Sequence, residues 1–140
     1  MKNTRTIVLA GLLAGLLVNV VDIPNSAIVV SPRWTAFLAE HGIVMNIPAV
    51  SVFYTLLHFG YGIMLAYAYV VARGRFGAGT RTALGSTLFL LALHRAFGLG
   101  MVVMGTMPLV IYLMFSASMI AGTVLGGIAA GKVIDRALGH

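Results

Sequence analysis

The stretch PLVIYLMFSASMIAGTVLGGIAAG, residues 108–131, decides the fold. No charged side chain interrupts it. It opens on Pro108, which a helix tolerates in its first turn because the missing N–H would have no intrahelical partner there. An apolar helix of about 20 residues is what the hydrocarbon core of a bilayer demands. Within the run, Ser118, Gly122, Gly126 and Ala130 recur at every fourth position. At 3.6 residues per turn they line one face. Small residues on one face let helices approach closely in lipid, where acyl tails supply no hydrophobic drive for association. The segment reads as a spanning helix with a seam along one side.

Three further segments of the same kind lie upstream: Thr6 to about Val30, Pro48 to Ala72, and Thr82 to about Met104. Pro48, like Pro108, fits a first turn. Pro24 differs. It removes the hydrogen bond to the Val20 carbonyl and predicts a kink or an end to the first helix, with Asn25 and Ser26 fraying near the outer surface. Gly11 and Gly15 start a face of the first helix that continues through Asn19 to Asp22. Either small-residue stripe can serve as an intramolecular seam or as a homodimer face. With only four helices to bury, the intramolecular seam is the expectation.

Composition agrees with this reading. Apolar residues make up 60% of the 140-residue chain and charged residues 9%, where a soluble domain carries roughly 25% charged residues. The chain has no cysteine, which excludes disulfides, thiolate metal sites and cysteine nucleophiles. The formal charge of +6 comes from basic residues at the ends of apolar runs. They read as anchors at an anionic membrane face, with no nucleic-acid partner. The N-terminal Met1-Lys2-Asn3-Thr4-Arg5 and its apolar run are expected to form an uncleaved first helix. The candidate cleavage site near Ala27 has Asn25 two residues before it and lacks a small-x-small pattern.

The connections set the topology. In the first, Ser31 to Ile47, Ser31-Pro32 looks like an N-cap and first turn, and Gly42 like a C-terminal cap. Trp34, Phe37 and Leu38 share a helical face between them, so a short interfacial helix is expected in this outer loop. The second connection, Arg73 to Arg81, is glycine-rich and basic. The third, Gly105-Thr106-Met107, is tight enough to make the last two helices an antiparallel hairpin. Lys2, Arg5, Arg73, Arg75, Arg81, Lys132 and Arg136 flank one side, and Arg33 alone flanks the other. The positive-inside rule puts both termini in the cytoplasm. The expected architecture is all-α: a polytopic membrane protein of four helices in an up-down bundle forming a single domain of the bacterial inner membrane.

Arg75-Phe76-Gly77-x-Gly79-x-x-Thr82-Ala83, preceded by Tyr67 and Tyr69, resembles a family of small bacterial four-helix integral membrane proteins. An Asn-x-x-acid pair late in the first helix and a tryptophan in the first outer loop extend the likeness, on Asn19, Asp22 and Trp34. The chain departs from the pattern with Asp22 in place of Glu, and with Gly74 and Ala78 in place of prolines. His58 and His94 are not part of it. The resemblance implies the four-helix layout and no assigned reaction, so no catalytic residue is carried over.

Intramembrane ionisable groups are costly and usually face the bundle interior. At about 1.5 Å rise per residue from the basic end, Asp22 lies about 24 Å deep, His58 about 21 Å, Asn19 and Arg95 about 20 Å, and His94 about 18 Å. Asn19, Asp22, His58, His94 and Arg95 thus form one polar layer by depth. Asp22 is the one acid at that level, which predicts an Asp22–Arg95 pair. Three function classes follow. The first is a non-enzymatic protein: a structural or accessory subunit, or a small-solute carrier acting as a homo-oligomer or within a larger membrane complex. The second is a redox protein with haem b held by His58 and His94 on neighbouring helices. The third, a membrane enzyme, needs a nucleophile beside a base or a pair of acids, and the sequence offers neither a catalytic constellation nor another metal site.

Overall fold

The computed structural model describes residues 2–139. Six helical elements follow one another: α1 (Lys2–Asn25), a π-helical turn (Ser26–Val30), α2 (Ser31–Glu40), α3 (Ile47–Phe76), α4 (Thr80–Val103) and α5 (Leu109–Leu138). No strand occurs among the described residues. Four helical rods are long and apolar enough to cross a membrane, and the first combines α1, the π turn and α2 over Thr4–Glu40. The chain is a four-helix bundle with antiparallel sequential rods.

The first helix does not end at Pro24. Pro24 lies inside α1, and the rod adapts one step later by widening into the π turn, a common way for a helix to absorb a backbone group displaced from its ladder. Helical backbone continues through Ser31, so Ser31 is no cap. Its carbonyl accepts from the Thr35 hydroxyl at 2.8 Å. The short helix expected after the first span is therefore α2, a continuation of α1. It ends before Gly42, where φ reaches 71°. Asn46 caps α3, its side chain accepting from the Ala49 N–H at 3.2 Å.

α3 and α5 extend beyond the expected Ala72 and Gly131, to Phe76 and Leu138. Their last turns hold each other. The Arg73 Nε donates to Asp135 at 3.0 Å, and the Tyr69 hydroxyl donates to the same carboxylate oxygen at 2.5 Å. The link to α4 shrinks to residues 77–79, with Gly77 and Gly79 at φ 83° and 126°.

α1 is the centre of the bundle. It packs against α3 on one face and α5 on another, while α4 packs on α5 and α3 and makes no substantial contact with α1. Both α1 seams close at backbone distance. A Cβ on Gly15 would lie 2.6 Å from Phe59 Cα, and one on Gly62 would lie 2.7 Å from Gly15 Cα. On the other face, a Cβ on Gly122 would meet Val18 Cα at 3.0 Å and one on Gly126 the Ala14 carbonyl oxygen at 2.8 Å. Both small-residue stripes are thus occupied within the chain. Leu9, Leu16, Val20, Val71 and Phe97 point outward, the inverse of a water-soluble surface and the ordinary one for a lipid-facing rod.

Candidate functional site

The polar layer resolves into two adjoining clusters, one reaching α3 at His58 and the other at Tyr61, one turn further along the helix. The first is built on α1. Asp22 is buried, 5% exposed, and has three neighbours. The Ser118 hydroxyl of α5 donates to it at 2.6 Å, the Ser26 hydroxyl donates at 3.0 Å, and His58 Nε2 of α3 stands 4.0 Å away. Asn19 faces His58 directly, with 2.9 Å between its Oδ1 and His58 Nδ1, and donates its Nδ2 to the Thr55 carbonyl at 3.2 Å. Since Asn19 Oδ1 can only accept, His58 Nδ1 carries the proton in this contact. Asn25, expected to fray, instead donates to Ser118 at 2.9 Å and to the Met114 carbonyl at 3.1 Å. The four-residue rhythm that carries Gly11 and Gly15 against α3 also places Asn19 there. Ser26 stands beside Asp22 by the ordinary four-residue spacing of a helix.

The second cluster lies among α3, α4 and α5. Tyr61 and His94 approach with ring centroids 5.3 Å apart. The Arg95 guanidinium lies over the Tyr112 ring, 5.0 Å from its centroid, and the Tyr112 hydroxyl donates to the Arg95 carbonyl at 3.1 Å. Gly98 makes this possible, because a Cβ there would sit 2.8 Å from Arg95 Nη2. The Tyr61 and Thr123 hydroxyls are near each other without meeting hydrogen-bond geometry. Five buried polar atoms here have no hydrogen-bond partner: the Tyr61 and Thr123 hydroxyls, His94 Nδ1, and Arg95 Nε and Nη1. Arg95 is close enough to Tyr61 and His94 to act on both electrostatically, and His58 acts on His94. The two clusters therefore adjoin through the histidines.

The expected Asp22–Arg95 ion pair is not formed. Among the described residues the Arg–carboxylate ion pair is Arg73–Asp135, and Asp22 has His58, not Arg95, as its nearest basic side chain, at 4.0 Å. Depth fixes a level and not a direction: Asp22 faces α3 and α5, whereas Arg95 rides on α4, which makes no substantial contact with α1. The haem reading also finds no fit. His58 Nδ1 is held by Asn19 and its Nε2 faces the Asp22 carboxylate, so a metal at Nε2 would have to displace that carboxylate. Among the described residues no three metal-ligating side chains gather.

A third polar knot, at the end bearing the termini, escaped the sequence reading. Asp135 is 7% exposed and Tyr69 is 1% exposed. Besides binding Asp135, the Tyr69 hydroxyl accepts from the Gly79 N–H at 3.1 Å, and Arg73 Nη2 donates to the Gly139 carbonyl. The knot ties α3, α4 and α5 together at one end. Its sequence signal was an acid among the basic flanking residues, Asp135 between Lys132 and Arg136.

Fold and surface together define the class, a multi-pass helical membrane protein with a divided polar layer in its interior. Comparison with known proteins adds no closer assignment: no family model, no curated protein and no solved structure matches the chain.

Proposed function

We propose that this protein is a non-enzymatic carrier for a small anionic solute, acting as an oligomer in the bacterial inner membrane with both termini in the cytoplasm. We place it in the family of small four-helix membrane proteins that its loop and first-helix residues resemble. The observation that supports the carrier reading is the set of five unpartnered polar atoms around Arg95. Buried polar groups are nearly always hydrogen-bonded, and a bundle built only for stability would satisfy them. Arginine has donors and no acceptor, and the hydroxyls of Tyr61 and Thr123 can each donate. No acid lies in this cluster, so a species rich in acceptors and negatively charged suits it, a small carboxylate above all, since the guanidinium fork matches two carboxylate oxygens.

The adjoining cluster supplies a proton-holding pair. His58 Nε2 stands 4.0 Å from the Asp22 carboxylate, close enough for a proton on His58 to stabilise the Asp22 charge, and charge on His58 is felt at His94 beside the anion site. Proton relays of acid and histidine are a usual role for ionisable groups at membrane depth. The closed α1 seams leave no path along that helix, so movement of solute runs beside α4, the helix least engaged with the rest. One four-helix bundle is small for a transporter, and a path along α4 is completed by a second copy.

The test is counterflow uptake of labelled small carboxylates into proteoliposomes. Wild type is expected to exchange at least one of them, with uptake enhanced by an inward proton gradient. Arg95→Gln should abolish exchange, and Asp22→Asn should keep exchange but lose the gradient effect. Exchange by Arg95→Gln at the wild-type rate would overturn the reading, as would no exchange of any anion by wild type.

A further inference from the structure

The bundle has a second feature at the end bearing the termini, on the face between α3 and α4 and away from both polar clusters. An open trough of about 700 Å³ runs down this face, within the usual size of small-molecule sites, about 300–1,000 Å³. Val71, Phe76, Phe89 and Leu90 wall it, and Arg75 and Arg81 stand at its mouth. Gly85 lines it at an open position, where a Cβ would meet nothing within 4 Å.

The three arginines of this region have divided roles. Arg73 is committed to Asp135 and Gly139. Arg75 and Arg81 are exposed. The contact made by Arg75 is with the neighbouring Phe76 ring, 5.9 Å from its centroid. No acidic side chain lines the trough. The first turn of α4, which begins at Thr80, adds its positive dipole end to the same mouth. A double cationic rim above an apolar channel open to the lipid side is complementary to one ligand class. Guanidinium forks bind phosphate oxygens bidentately, and the channel suits an acyl chain.

We propose that the α3–α4 trough is a specific site for an anionic phospholipid, its phosphate held between Arg75 and Arg81 and one chain lying along Val71, Phe89 and Leu90. This is a property of the bundle independent of the carrier reading. A free phosphate would satisfy the rim and leave the channel without a role, so a lipid is the occupant the whole trough fits.

The test uses the full chain in neutral detergent. Its thermal melting is followed with phosphatidylglycerol, phosphatidylcholine or inorganic phosphate added, and native mass spectrometry counts bound lipid. Phosphatidylglycerol should raise the wild-type Tm above the phosphatidylcholine value by about 5 °C, the shift expected when a site is well occupied in a chain of this size. Arg75→Gln/Arg81→Gln should lose that excess and the bound lipid while melting like wild type in phosphatidylcholine. Gly85→Phe, which fills the channel and leaves the rim intact, should lose both as well. Arg136→Gln, an equally exposed cation outside the trough, should keep both. The proposal is overturned if wild type shows no phosphatidylglycerol excess, or if the arginine double variant still retains lipid. It is also overturned if Arg136→Gln loses as much, or if inorganic phosphate reproduces the shift.

Discussion

Ser118→Ala isolates the tie between α1 and α5 at the polar layer. Ser118 donates to Asp22 at 2.6 Å and accepts from Asn25 at 2.9 Å. Alanine is smaller, so the variant brings no clash into the α1–α5 seam. A hydrogen bond to a charged group contributes about 1.5–3 kcal/mol in soluble proteins. Hydrogen bonds between membrane helices average about 0.6 kcal/mol and reach about 1.7. Asn25 keeps its bond to the Met114 carbonyl at 3.1 Å, so most of the loss falls on Asp22, and the prediction is about 1–2 kcal/mol. Ser116 is the internal control. It is equally buried, 8% against 7% exposed, but donates only within its own helix, to the Tyr112 carbonyl at 2.7 Å. Such a back-bond to a carbonyl already used by the helix adds little, so Ser116→Ala should stay within about 0.5 kcal/mol of wild type. Reversible unfolding in mixed micelles, followed by circular dichroism, gives both values. On an Asp22→Asn background the cost of Ser118→Ala should shrink by at least about 0.5 kcal/mol, the signature of residues in contact. Equal losses from the two serine variants, or strict additivity with Asp22→Asn, would refute the tie.

Three further predictions follow from the packing. Gly62→Ala should cost about 1–3 kcal/mol, because its Cβ would sit 2.7 Å from Gly15 Cα and the helices must part; Gly60→Ala, with nothing within 4 Å, should be tolerated, and similar losses from both would mean the α1–α3 seam is not closed as described. Tyr69→Phe should destabilise the chain by about 1–2 kcal/mol by stranding the Gly79 N–H and weakening the hold on Asp135, whereas Tyr67→Phe, exposed on the same helix, should melt like wild type. Single cysteines placed in this cysteine-free chain at Thr35 and Ala78 should label oppositely in intact cells, Thr35 from outside and Ala78 only after permeabilisation; labelling of Ala78 from outside would invert the topology.

The four spans were legible because a run of about 20 apolar residues has few alternatives. The seams were legible as well, since a fourth-residue spacing of glycine and serine fixes a helix face regardless of what it meets. The helix ends at Phe76 and Leu138 were not. Arg73 and Asp135 look like residues leaving the membrane, and only their mutual contact shows that they extend two helices. The Asp22–Arg95 pairing failed for a geometric reason: depth along a helix is readable from residue count, but the direction a side chain faces depends on which helices are neighbours, and the order that keeps α4 off α1 is not written in any one segment. Ser118 was read for its size, while its hydroxyl is what holds Asp22.

The central claim is that Arg95 and its unpartnered neighbours receive an anion. Solid-state NMR tests it most directly, by dipolar recoupling between ¹⁵N-labelled arginine side chains and the ¹³C carboxylate of a small acid bound to the protein in lipid. If the claim holds, one guanidinium shows a nitrogen-to-carbon distance of about 4 Å, as a bidentate charge-assisted pair requires, and the signal vanishes in Arg95→Lys. No recoupling with any carboxylate, or a signal unchanged in Arg95→Lys, would contradict it.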